Sequence, residues 1–369
     1  ADEAVRDANL AALNAGHAYG ETAELGKTLI QHPTPAAPLA AAEYRTITGA
    51  ESLALGLIAA GELADTQMMF CSYPITPASS LLHHLANLED AGISTFQAED
   101  EIAAVCAAIG ASYAGKLGVT SSSGPGIALK TEAIGLAVAT ELPLVIVNSQ
   151  RAGPSTGMPT KTEQSDLYQA VYGRNGDTPL PVVAARSPGD CFDAAIEAVR
   201  IALRHMTPVI LLTDGYIANA SELWPIPDID SNAPITNRKP GATDTGRVFQ
   251  REPATQARLW ASPGDTRFIH RVGGIERDIN SGNISYDDAN HQAMTDMRSR
   301  KVSSVADFIP EQTLEQGVTG GLAVVAWGST YGTVYQAVRE ALAAGLSVGQ
   351  IHLRHINPLP PNLGELLAQ

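Results

Sequence analysis

The sequence predicts an α/β protein built on a parallel sheet, and three observations support this class. Strand-like apolar segments alternate with helical patterns from Thr46 to about Trp224, and crossovers of this length join parallel strands. Hydrophobic residues make up 44% of the 369 residues and aromatic residues only 5%, which suits helices packed tightly on a sheet. A chain of this length also exceeds one ordinary core, so we expect two or three domains.

The first part of the chain predicts a helix and a linker. Residues 1–26 carry apolar side chains at helical spacing and predict one amphipathic helix. The segment His32 to Pro38 is rich in proline and predicts a semi-rigid linker. Because a lone helix followed by such a linker is typical of the tail of something larger, we assign residues 1–38 to the end of an upstream domain.

The alternating region, residues 39–225, predicts one sheet domain with helices on both faces. Its helices have apolar residues at a 3.6-residue period, and its strands are short apolar runs bounded by polar or turn residues. The predicted helices are Glu51–Leu63, Ser79–Leu88, Glu101–Ala114, Ile127–Thr140 and Asp190–His205. The predicted strands are Gln67–Ser72, Ser94–Gln97, Leu117–Ser121, Leu144–Val147, Leu180–Ala184 and Pro208–Leu212.

The remainder of the chain predicts a long connection and a second α/β region. Residues 226–318 lose the alternation and are rich in Pro, Gly, Asn, Asp and Arg, which predicts an irregular segment. The pattern returns in residues 319–369 with a buried strand Leu322–Trp327, a helix Tyr331–Leu342 and a strand Val348–Leu353. Two strands are few for such a sheet, so we expect this second domain to be truncated.

Charge and cysteine content exclude several classes of protein. The net charge of −15 argues against nucleic acid or an anionic membrane as a partner, since either needs a basic face. The apolar stretch Leu136–Val147 is too short to span a bilayer, and the first residues do not resemble a secretion signal. We therefore expect a cytoplasmic protein. The three cysteines, Cys71, Cys106 and Cys191, lack metal-ligand spacing and predict small buried thiols, with no metal or cluster on this chain.

Four polar segments at the ends of predicted strands are the most informative feature of the chain. They are Tyr73-Pro74-Ile75-Thr76-Pro77, Gln97-Ala98-Glu99-Asp100-Glu101, Ser121-Ser122-Ser123-Gly124-Pro125-Gly126 and Asn148-Ser149-Gln150-Arg151. Because the carboxyl ends of parallel strands share one edge, we expect these segments to meet there. Together they supply a hydroxyl, a carboxylate, a glycine-rich turn and a guanidinium, which suit an anionic substrate and a heterocyclic cofactor.

Taken singly, each of these segments also has an ordinary structural explanation. The Ser121–Gly126 turn could bind an anion at a helix start, but it lacks the sequence of a Walker loop or a dinucleotide fingerprint. Thr76 could cap the next helix, and Arg151 could be a surface side chain. A carboxylate such as Glu101 is common at a helix start because it interacts favourably with the helix dipole.

In combination, the segments closely resemble the α subunit of 2-oxoacid:ferredoxin oxidoreductases, most nearly the 2-oxoglutarate type. The resemblance runs from about Thr46 to the end of the chain. It includes the segments Thr156–Asp166, Trp327-Gly328-Ser329-Thr330 and Leu353–Pro358. It implies a thiamine-diphosphate-binding, pyrimidine-type doubly wound parallel sheet domain, followed by a transketolase C-terminal-like α/β domain.

The resemblance also implies which residues bind the cofactor. A carboxyl group is expected at the N1′ nitrogen of the aminopyrimidine, where it assists proton transfer. Glu101 matches the family position best, Glu99 is a close alternative and Asp100 a more distant one. The other residues implied in cofactor binding are Tyr73, Pro74, Ile75, Ser123, Gly124 and Pro125.

Three further residues are implied in binding the 2-oxoacid. Thr76 is assigned to the substrate carbonyl or carboxylate, and Arg151 to a substrate carboxylate through a bidentate pair. Thr76 and Arg151 complete, with Glu101, the expected catalytic set. Lys161 is a candidate for a second carboxylate, although a plain surface lysine fits equally well. It belongs to a loop, Ala152–Thr162, that we expect to cover the site.

The expected partners follow from what this sequence lacks. A Gly-Asp-Gly signature for magnesium diphosphate is missing, and only Pro188-Gly189-Asp190 and Pro263-Gly264-Asp265 come near it. The resemblance therefore implies a β subunit that carries Mg2+ and a [4Fe-4S] cluster. It also implies a dimer of heterodimers that uses ferredoxin and coenzyme A. Residues 1–38 resemble the junction with a γ-type domain, which ordinarily contributes to coenzyme A binding in the family; the coenzyme A contacts of this chain stay undetermined.

The implied reaction is the oxidative decarboxylation of 2-oxoglutarate to succinyl-CoA with reduction of ferredoxin, or the reverse carboxylation. Pyruvate or a branched-chain 2-oxoacid is an alternative substrate for the same chemistry. A noncatalytic assembly subunit with a vestigial cofactor crevice is an alternative of another class. Intact Glu101, Thr76 and Arg151 argue against that second alternative.

Overall fold

The computed structural model describes residues 3–23 and 39–369, which belong to two compact units, Ala1–Ala42 and Glu43–Gln369. The first unit contains a helix, Glu3–Thr22, and none of the residues of this described helix is buried. The predicted proline-rich linker, His32–Pro38, lies outside the described residues, as do residues 24–26 of the predicted first helix.

The helices and strands of the described residues are labelled in chain order. The α-helices are α1 (Glu3–Thr22), α2 (Gly49–Leu63), α3 (Ser79–Ala86), α4 (Glu101–Tyr113), α5 (Gly124–Leu129), α6 (Thr131–Thr140), α7 (Leu167–Tyr172), α8 (Cys191–His205), α9 (Gly215–Asn219), α10 (Asp288–Ser303), α11 (Tyr331–Ala343) and α12 (Leu363–Ala368). The strands are β1 (Tyr44–Thr48), β2 (Met68–Ser72), β3 (Ile93–Gln97), β4 (Leu117–Ser122), β5 (Leu144–Gln150), β6 (Val182–Ala184), β7 (Pro208–Asp214), β8 (Ser221–Pro225), β9 (Gln316–Gly317), β10 (Leu322–Trp327), β11 (Val348–Leu353) and β12 (His355–Asn357). Short 3-10 helices cover Glu89–Ala91, Ile229–Ser231, Thr266–Phe268, Ser304–Phe308 and Gly328–Thr330.

A seven-stranded sheet with the order β12-β6-β7-β5-β4-β2-β3 forms the centre of the second unit. Its strands β2 to β7 pair in parallel, and only β12 at one edge runs antiparallel. This arrangement confirms the predicted α/β class. The reversal of strand order beside β2 brings the carboxyl ends of β3, β2, β4 and β5 next to one another.

Helices cover both faces of this sheet, as predicted. The apolar residues of α2, α3 and α8 pack on one face, and those of α4, α5 and α6 pack on the other. Successive residues of β5 contribute to the two cores in alternation: Val145 and Val147 face the first, and Leu144 and Ile146 face the second. A strand that is buried on both sides reads as a continuous apolar run, which explains why the sequence pattern detects it.

The predicted bounds of the sheet domain agree with the structure within about two residues at each end, except in two elements. The single helix predicted over Ile127–Thr140 is two helices, α5 and α6, which meet at Lys130. The strand predicted to end at Val147 continues to Gln150. Apolar periodicity does not detect this extension because residues 148–150 are polar, yet they are buried, and Gln150 Nε2 donates to Thr213 O at 3.1 Å.

The segment predicted to be irregular contains one regular helix, α10. Its N-terminus is capped by Asp287, whose Oδ1 accepts a hydrogen bond from Asn290 N at 2.7 Å. Only Met294, Met297 and Val302 are buried apolar residues of this helix, so its apolar periodicity is weak. Elsewhere the segment is anchored to the sheet domain by Trp260, whose Nε1 donates to Ser112 O at 2.8 Å.

The expectation of a buried strand at Leu322–Trp327 is wrong. β10 is the edge strand of a separate three-stranded sheet, in the order β10-β11-β9, and Leu322 is 68% exposed and Val325 44% exposed. An uninterrupted apolar run predicts burial on both faces, but an edge strand of a small sheet can leave one face open. The parallel pairing of β10 with β11, connected through α11, does follow the predicted pattern.

The buried thiols are confirmed for Cys71 and Cys191, but the prediction is wrong for Cys106, which is exposed on α4. An alanine-rich helix carries little information about which face is covered, so the apolar neighbours of Cys106 do not reveal its position. In the ranges 3–23 and 39–369, we find no helix with the length and apolar character required to cross a membrane.

One buried carboxylate, Glu141, joins the irregular segment to the sheet domain. It is 2% exposed and accepts hydrogen bonds from Arg251, Arg277 and Lys301 at 2.6, 2.7 and 2.6 Å. Burial alone would raise the pKa of Glu141. The Lys301, Arg251 and Arg277 cations outweigh that effect and hold the pKa well below its usual range.

We predict that Glu141→Gln lowers the free energy of unfolding by about 3–5 kcal/mol, because it leaves three buried cations without their carboxylate. Glu132→Gln, an exposed position on α6, the helix that ends directly before Glu141, is the matched control and should be close to neutral. Because the pKa is lowered on folding, the Glu141 contribution is present above the unfolded value of about 4.5 and disappears as the pH falls through the folded pKa. Denaturant unfolding at neutral and acidic pH measures both effects, and an equal loss in the two variants would contradict the prediction.

Candidate active site

The parallel sheet brings the four predicted polar segments to one edge. The segment that begins at Tyr73 directly follows β2, and the one that begins at Gln97 starts on the last residue of β3. The other two are partly inside their strands, since β4 ends at Ser122 and β5 at Gln150. Polar side chains are tolerated there because they bond across the ladder: Ser72 Oγ and Ser121 Oγ, on adjacent strands, lie 2.9 Å apart.

Tyr73, Ser122 and Glu101 converge on Gly126 in the first turns of α5. The Tyr73 hydroxyl and Ser122 Oγ are joined by a 2.8 Å hydrogen bond. A Cβ atom on Gly126 would clash with both oxygens and would lie 2.9 Å from Glu101 Cγ, so only glycine allows this approach. Burial raises the pKa of Tyr73, and the nearby Glu101 carboxylate raises it further, which keeps the phenol neutral.

The three acidic residues before α4 have different surroundings. Asp100 caps the helix, and its Oδ1 accepts a hydrogen bond from Ala103 N at 2.7 Å. Glu99 is exposed, whereas Glu101 is half-buried and lies in the first turn of the helix. The Asp100 carboxylate is used as the helix cap, and Glu99 faces solvent. Glu101 is therefore the carboxylate that lies against Tyr73 and the turn at Gly126.

The turn that opens α5 lies against a second carboxylate, Asp166. A Cβ atom on Gly124 would lie 2.7 Å from both carboxylate oxygens of Asp166, and Asp166 Oδ2 accepts a hydrogen bond from Asn148 Nδ2 at 3.0 Å. Burial raises the pKa of Asp166. Pro125 occupies the start of the helix, where its missing N–H costs no hydrogen bond.

Three buried polar atoms at the carboxyl ends of β4 and β5 have no hydrogen-bond partner among the described residues. They are Ser123 Oγ, Asn148 Oδ1 and Arg151 Nε. Buried polar atoms in folded proteins are nearly always paired. Their common location at the carboxyl ends of β4 and β5 leaves free donors and acceptors for a polar ligand at this edge.

Thr76 and Arg151, predicted to act together, are in direct contact. Arg151 is 7% exposed, and its Nη1 donates to the backbone carbonyl of Thr76 at 2.7 Å. The Thr76 side chain is exposed and does not cap α3, which begins after Ala78. Pro74 is exposed and Ile75 half-buried beside it, so the predicted cofactor segment lies at the rim of the edge.

Lys161 is not buried with these residues. Its side chain is exposed, and its backbone carbonyl accepts a hydrogen bond from Ala152 N at 2.9 Å. The loop is tied back on itself by this bond. Beyond the loop, Gln164 Nε2 donates to Trp327 O at 3.2 Å and Gln164 Oε1 accepts from Ser329 Oγ at 3.0 Å, which connects it to the end of β10.

Sequence reasoning missed two side chains at this edge, Lys130 and Asp166. Lys130 is fully buried and donates to Thr120 Oγ1 at 2.9 Å, yet in the sequence it is one polar residue inside a helical pattern. The interruption of that pattern is its only signal. Across the described ranges, no group of three or more His, Cys, Asp or Glu residues is placed to hold a metal ion.

Comparison with known proteins gives consistent results. Residues 61–286 match the family described as pyruvate flavodoxin/ferredoxin oxidoreductase, thiamine diP-binding. The chain is 50% identical over 368 residues to the 2-oxoglutarate oxidoreductase subunit KorA of Mycobacterium tuberculosis. This match covers 99% of this chain and 55% of that protein. The chain is 34% identical over 319 residues to the 2-oxoglutarate synthase subunit KorA of Archaeoglobus fulgidus, with 86% and 83% covered.

A solved structure is also similar over nearly the whole chain. It is the 2-oxoglutarate:ferredoxin oxidoreductase from Magnetococcus marinus with 2-oxoglutarate, coenzyme A and succinyl-CoA bound, at 33% identity and a TM-score of 0.86. The match covers 98% of this chain and 62% of that one. The present chain also spans little more than half the length of the M. tuberculosis relative.

We predict that Gly126→Ala disrupts the site, because the added methyl group forces apart Ser122, Tyr73 and Glu101. Overpacking of this kind costs about 1–3 kcal/mol. Gly135→Ala, on α6, is the matched control: no atom lies closer than 3.9 Å to its added Cβ, so the change should be neutral or slightly stabilising. Thermal unfolding of both variants checks this, and an unchanged melting temperature for Gly126→Ala would contradict it.

Proposed function

Because the chain belongs to the family of 2-oxoacid:ferredoxin oxidoreductase α subunits, we propose that it catalyses 2-oxoglutarate chemistry together with a β subunit. In the oxidative direction, 2-oxoglutarate and coenzyme A give succinyl-CoA and carbon dioxide, and two electrons pass to ferredoxin. The reverse carboxylation uses the same site. The observation that carries this proposal is the convergence of Glu101, Tyr73 and the Gly126 turn at the edge that also holds Arg151.

The residues at this edge fit thiamine diphosphate. When bound, it supplies the electron sink that lets a 2-oxoacid lose carbon dioxide. The unpaired Ser123 Oγ and Asn148 Oδ1 offer hydrogen bonds to a polar ring, and the neutral Tyr73 closes the inner side. Pro74, Ile75, Gly124 and Pro125 would complete the walls on either side.

Glu101 would hold and return a proton at the pyrimidine nitrogen. Its half-buried carboxylate is not used as a helix cap, unlike that of Asp100. General acid–base assistance requires a carboxyl group within hydrogen-bond reach of the atom that it protonates. A position against the turn at Gly126, rather than in solvent, supports Glu101 over Glu99.

Arg151 and Thr76 would bind the 2-oxoacid. The guanidinium is held by the Thr76 carbonyl through Nη1, while Nε has no partner among the residues described. Such a group is oriented before substrate arrives and can still pair with a carboxylate. Lys161 is exposed on the loop near the site and would reach a second carboxylate only when the loop closes over the substrate.

A β subunit would supply the magnesium diphosphate site and the [4Fe-4S] cluster. The helix that begins with Glu101 supports such a partner, because its Ile102, Cys106 and Tyr113 form an exposed apolar stripe at helical spacing. Phe96 on β3 and Leu129 on α5 are also exposed apolar residues. Exposed apolar patches of this kind are typical of protein interfaces.

The remaining parts of the proposal concern assembly and location. We place ferredoxin as the electron acceptor, coenzyme A as the cosubstrate and a dimer of heterodimers as the assembly. The free thiols of Cys71, Cys106 and Cys191 support a reducing compartment, the cytoplasm. The net charge of −15 gives no support to a nucleic acid partner.

We predict that Glu101→Gln lowers turnover of the reconstituted complex by about 10²–10⁴-fold, since the amide keeps the shape but cannot accept the proton. Glu99→Gln is the matched control and should retain nearly full turnover. Steady-state kinetics with 2-oxoglutarate, together with the dissociation constant for thiamine diphosphate, separate catalysis from binding. If Glu99→Gln is the inactive variant, the assignment is wrong by two residues. Wild-type complex that neither binds thiamine diphosphate nor consumes any 2-oxoacid would contradict the proposed function itself.

We predict that Arg151→Lys raises the KM for 2-oxoglutarate at least about tenfold, because one ammonium cannot hold the Thr76 carbonyl and also give two parallel hydrogen bonds to a carboxylate. Arg300→Lys, an exposed position on α10, is the control. Kinetics with 2-oxoglutarate and pyruvate measure the change and identify the preferred acid. A wild-type KM for every 2-oxoacid would leave Arg151 with only its structural contact to Thr76.

A further inference from the structure

Lys130 is a fully buried lysine at the joint between α5 and α6. Its Nζ donates to Thr120 Oγ1 at 2.9 Å and to Ser121 O at 3.1 Å, and it lies 5.4 Å from the centroid of the Tyr73 ring. In the part of the chain that the structure describes, no carboxylate forms an ion pair with it. The ammonium is therefore held by two neutral oxygens and the face of an aromatic ring.

This arrangement is costly for stability. A buried ammonium loses its hydration, and neutral acceptors only partly replace it. An apolar side chain of similar size would avoid this cost, as replacements of buried charges often do. The position of the charge beside the proposed active site, rather than its contribution to folding, is therefore the feature to explain.

The titratable and charged groups around Lys130 come from β2 and α4. Cys71 lies on β2, Tyr73 follows that strand, and Glu101 opens α4. Burial lowers the pKa of Lys130 to about 7, whereas the Glu101 carboxylate and Cys71 favour its charged form. Lys130 in turn lowers the pKa of Cys71, which burial raises to about 11. Glu101 is thus the one carboxyl group that faces Lys130 among these residues.

We propose that Lys130 is a positioning residue of the active site: its ammonium joins the end of β4 to the α5–α6 joint, supports the Tyr73 ring and supplies the positive charge that faces Glu101 from inside the protein. This inference rests on the proposed function. The contacts form a continuous path, since Tyr73 bonds Ser122 Oγ at 2.8 Å and both meet Glu101 at Gly126. Lys130 acts through these groups and does not itself touch the substrate.

The pH range in which Lys130 acts follows from its titration. Below about pH 7 the ammonium is charged and stabilises the Glu101 carboxylate. Above that pH it becomes neutral, and the attraction disappears. Removal of the charge by mutation should therefore matter most at low pH and least at high pH.

The first experiment measures the buried ammonium directly, through thermal unfolding of the full chain. Between about pH 7 and 10.5 the unfolded chain binds one more proton at Lys130 than the folded chain does, so this residue makes stability rise with pH. Lys130→Met lacks this pH-dependent contribution to stability. The melting temperature of Lys130→Met minus that of wild type should be largest near pH 6.5 and should decrease towards pH 9.5. Lys116→Met, at the amino end of β4 and half-buried, is the control and should show a difference that does not vary with pH.

The second experiment measures the effect on catalysis in the complex with the β subunit. The ratio of wild-type to Lys130→Met kcat should be at least about tenfold near pH 6 and should approach one by about pH 8.5. The KM for 2-oxoglutarate should stay within about twofold. Lys130→Arg keeps the charge at every pH and should restore most of kcat at low pH.

Each result supports or overturns the inference. A kcat ratio that is constant across pH, in an active wild-type complex, overturns the positioning role and leaves the proposed function intact. A melting-temperature difference that is independent of pH overturns the buried ammonium itself. Lack of thiamine diphosphate binding and of 2-oxoacid turnover in the wild-type complex overturns the proposed function, and the positioning role with it.

Discussion

The site depends on the parallel hydrogen bonding of β3, β2, β4 and β5. Strands that run in one direction end at one edge, so residues separated by dozens of positions in the sequence become neighbours there. The second constraint is the absence of a side chain at Gly126, which lets Tyr73, Ser122 and Glu101 approach one another. Register supplies the neighbours and glycine supplies the space. Strand pairing alone would not form the cluster, because a side chain at position 126 would keep Tyr73, Ser122 and Glu101 apart.

Much of the fold could be predicted because strands buried on both faces and helices packed on them have simple periodicities. The central strands and α2, α4 and α8 were predicted within a few residues for this reason. α10 was not predicted, because a helix held by a cap, two buried methionines and one buried valine has almost no apolar period. The exposure of β10 was not predicted either. Apolar composition shows that a strand can be covered but does not show that it is.

The candidate site could be predicted to the level of segments but not of contacts. Short polar groups at strand ends identify the edge, and resemblance to a family identifies Glu101, Thr76 and Arg151 among them. The sequence does not show that Arg151 is held by a backbone carbonyl of Thr76 or that Asp100 is used as a cap. Lys130 and Asp166 were missed since their burial results from tertiary packing. A lysine in a helix has the same sequence signature whether it faces solvent or the interior.

The cluster around Glu141 has a consequence for the order in which the chain folds. Its cations come from residues 251, 277 and 301, and all three bond the one carboxylate at the end of α6. The segment that carries them has a small apolar cluster of its own, Val248, Phe249, Ala261 and Phe268, but its three buried cations lack their carboxylate until α6 is in place on the sheet. During synthesis from the N-terminus, Glu141 is made before the three cationic residues. Backbone amides of the sheet domain should therefore gain protection from hydrogen exchange ahead of those in residues 251–301.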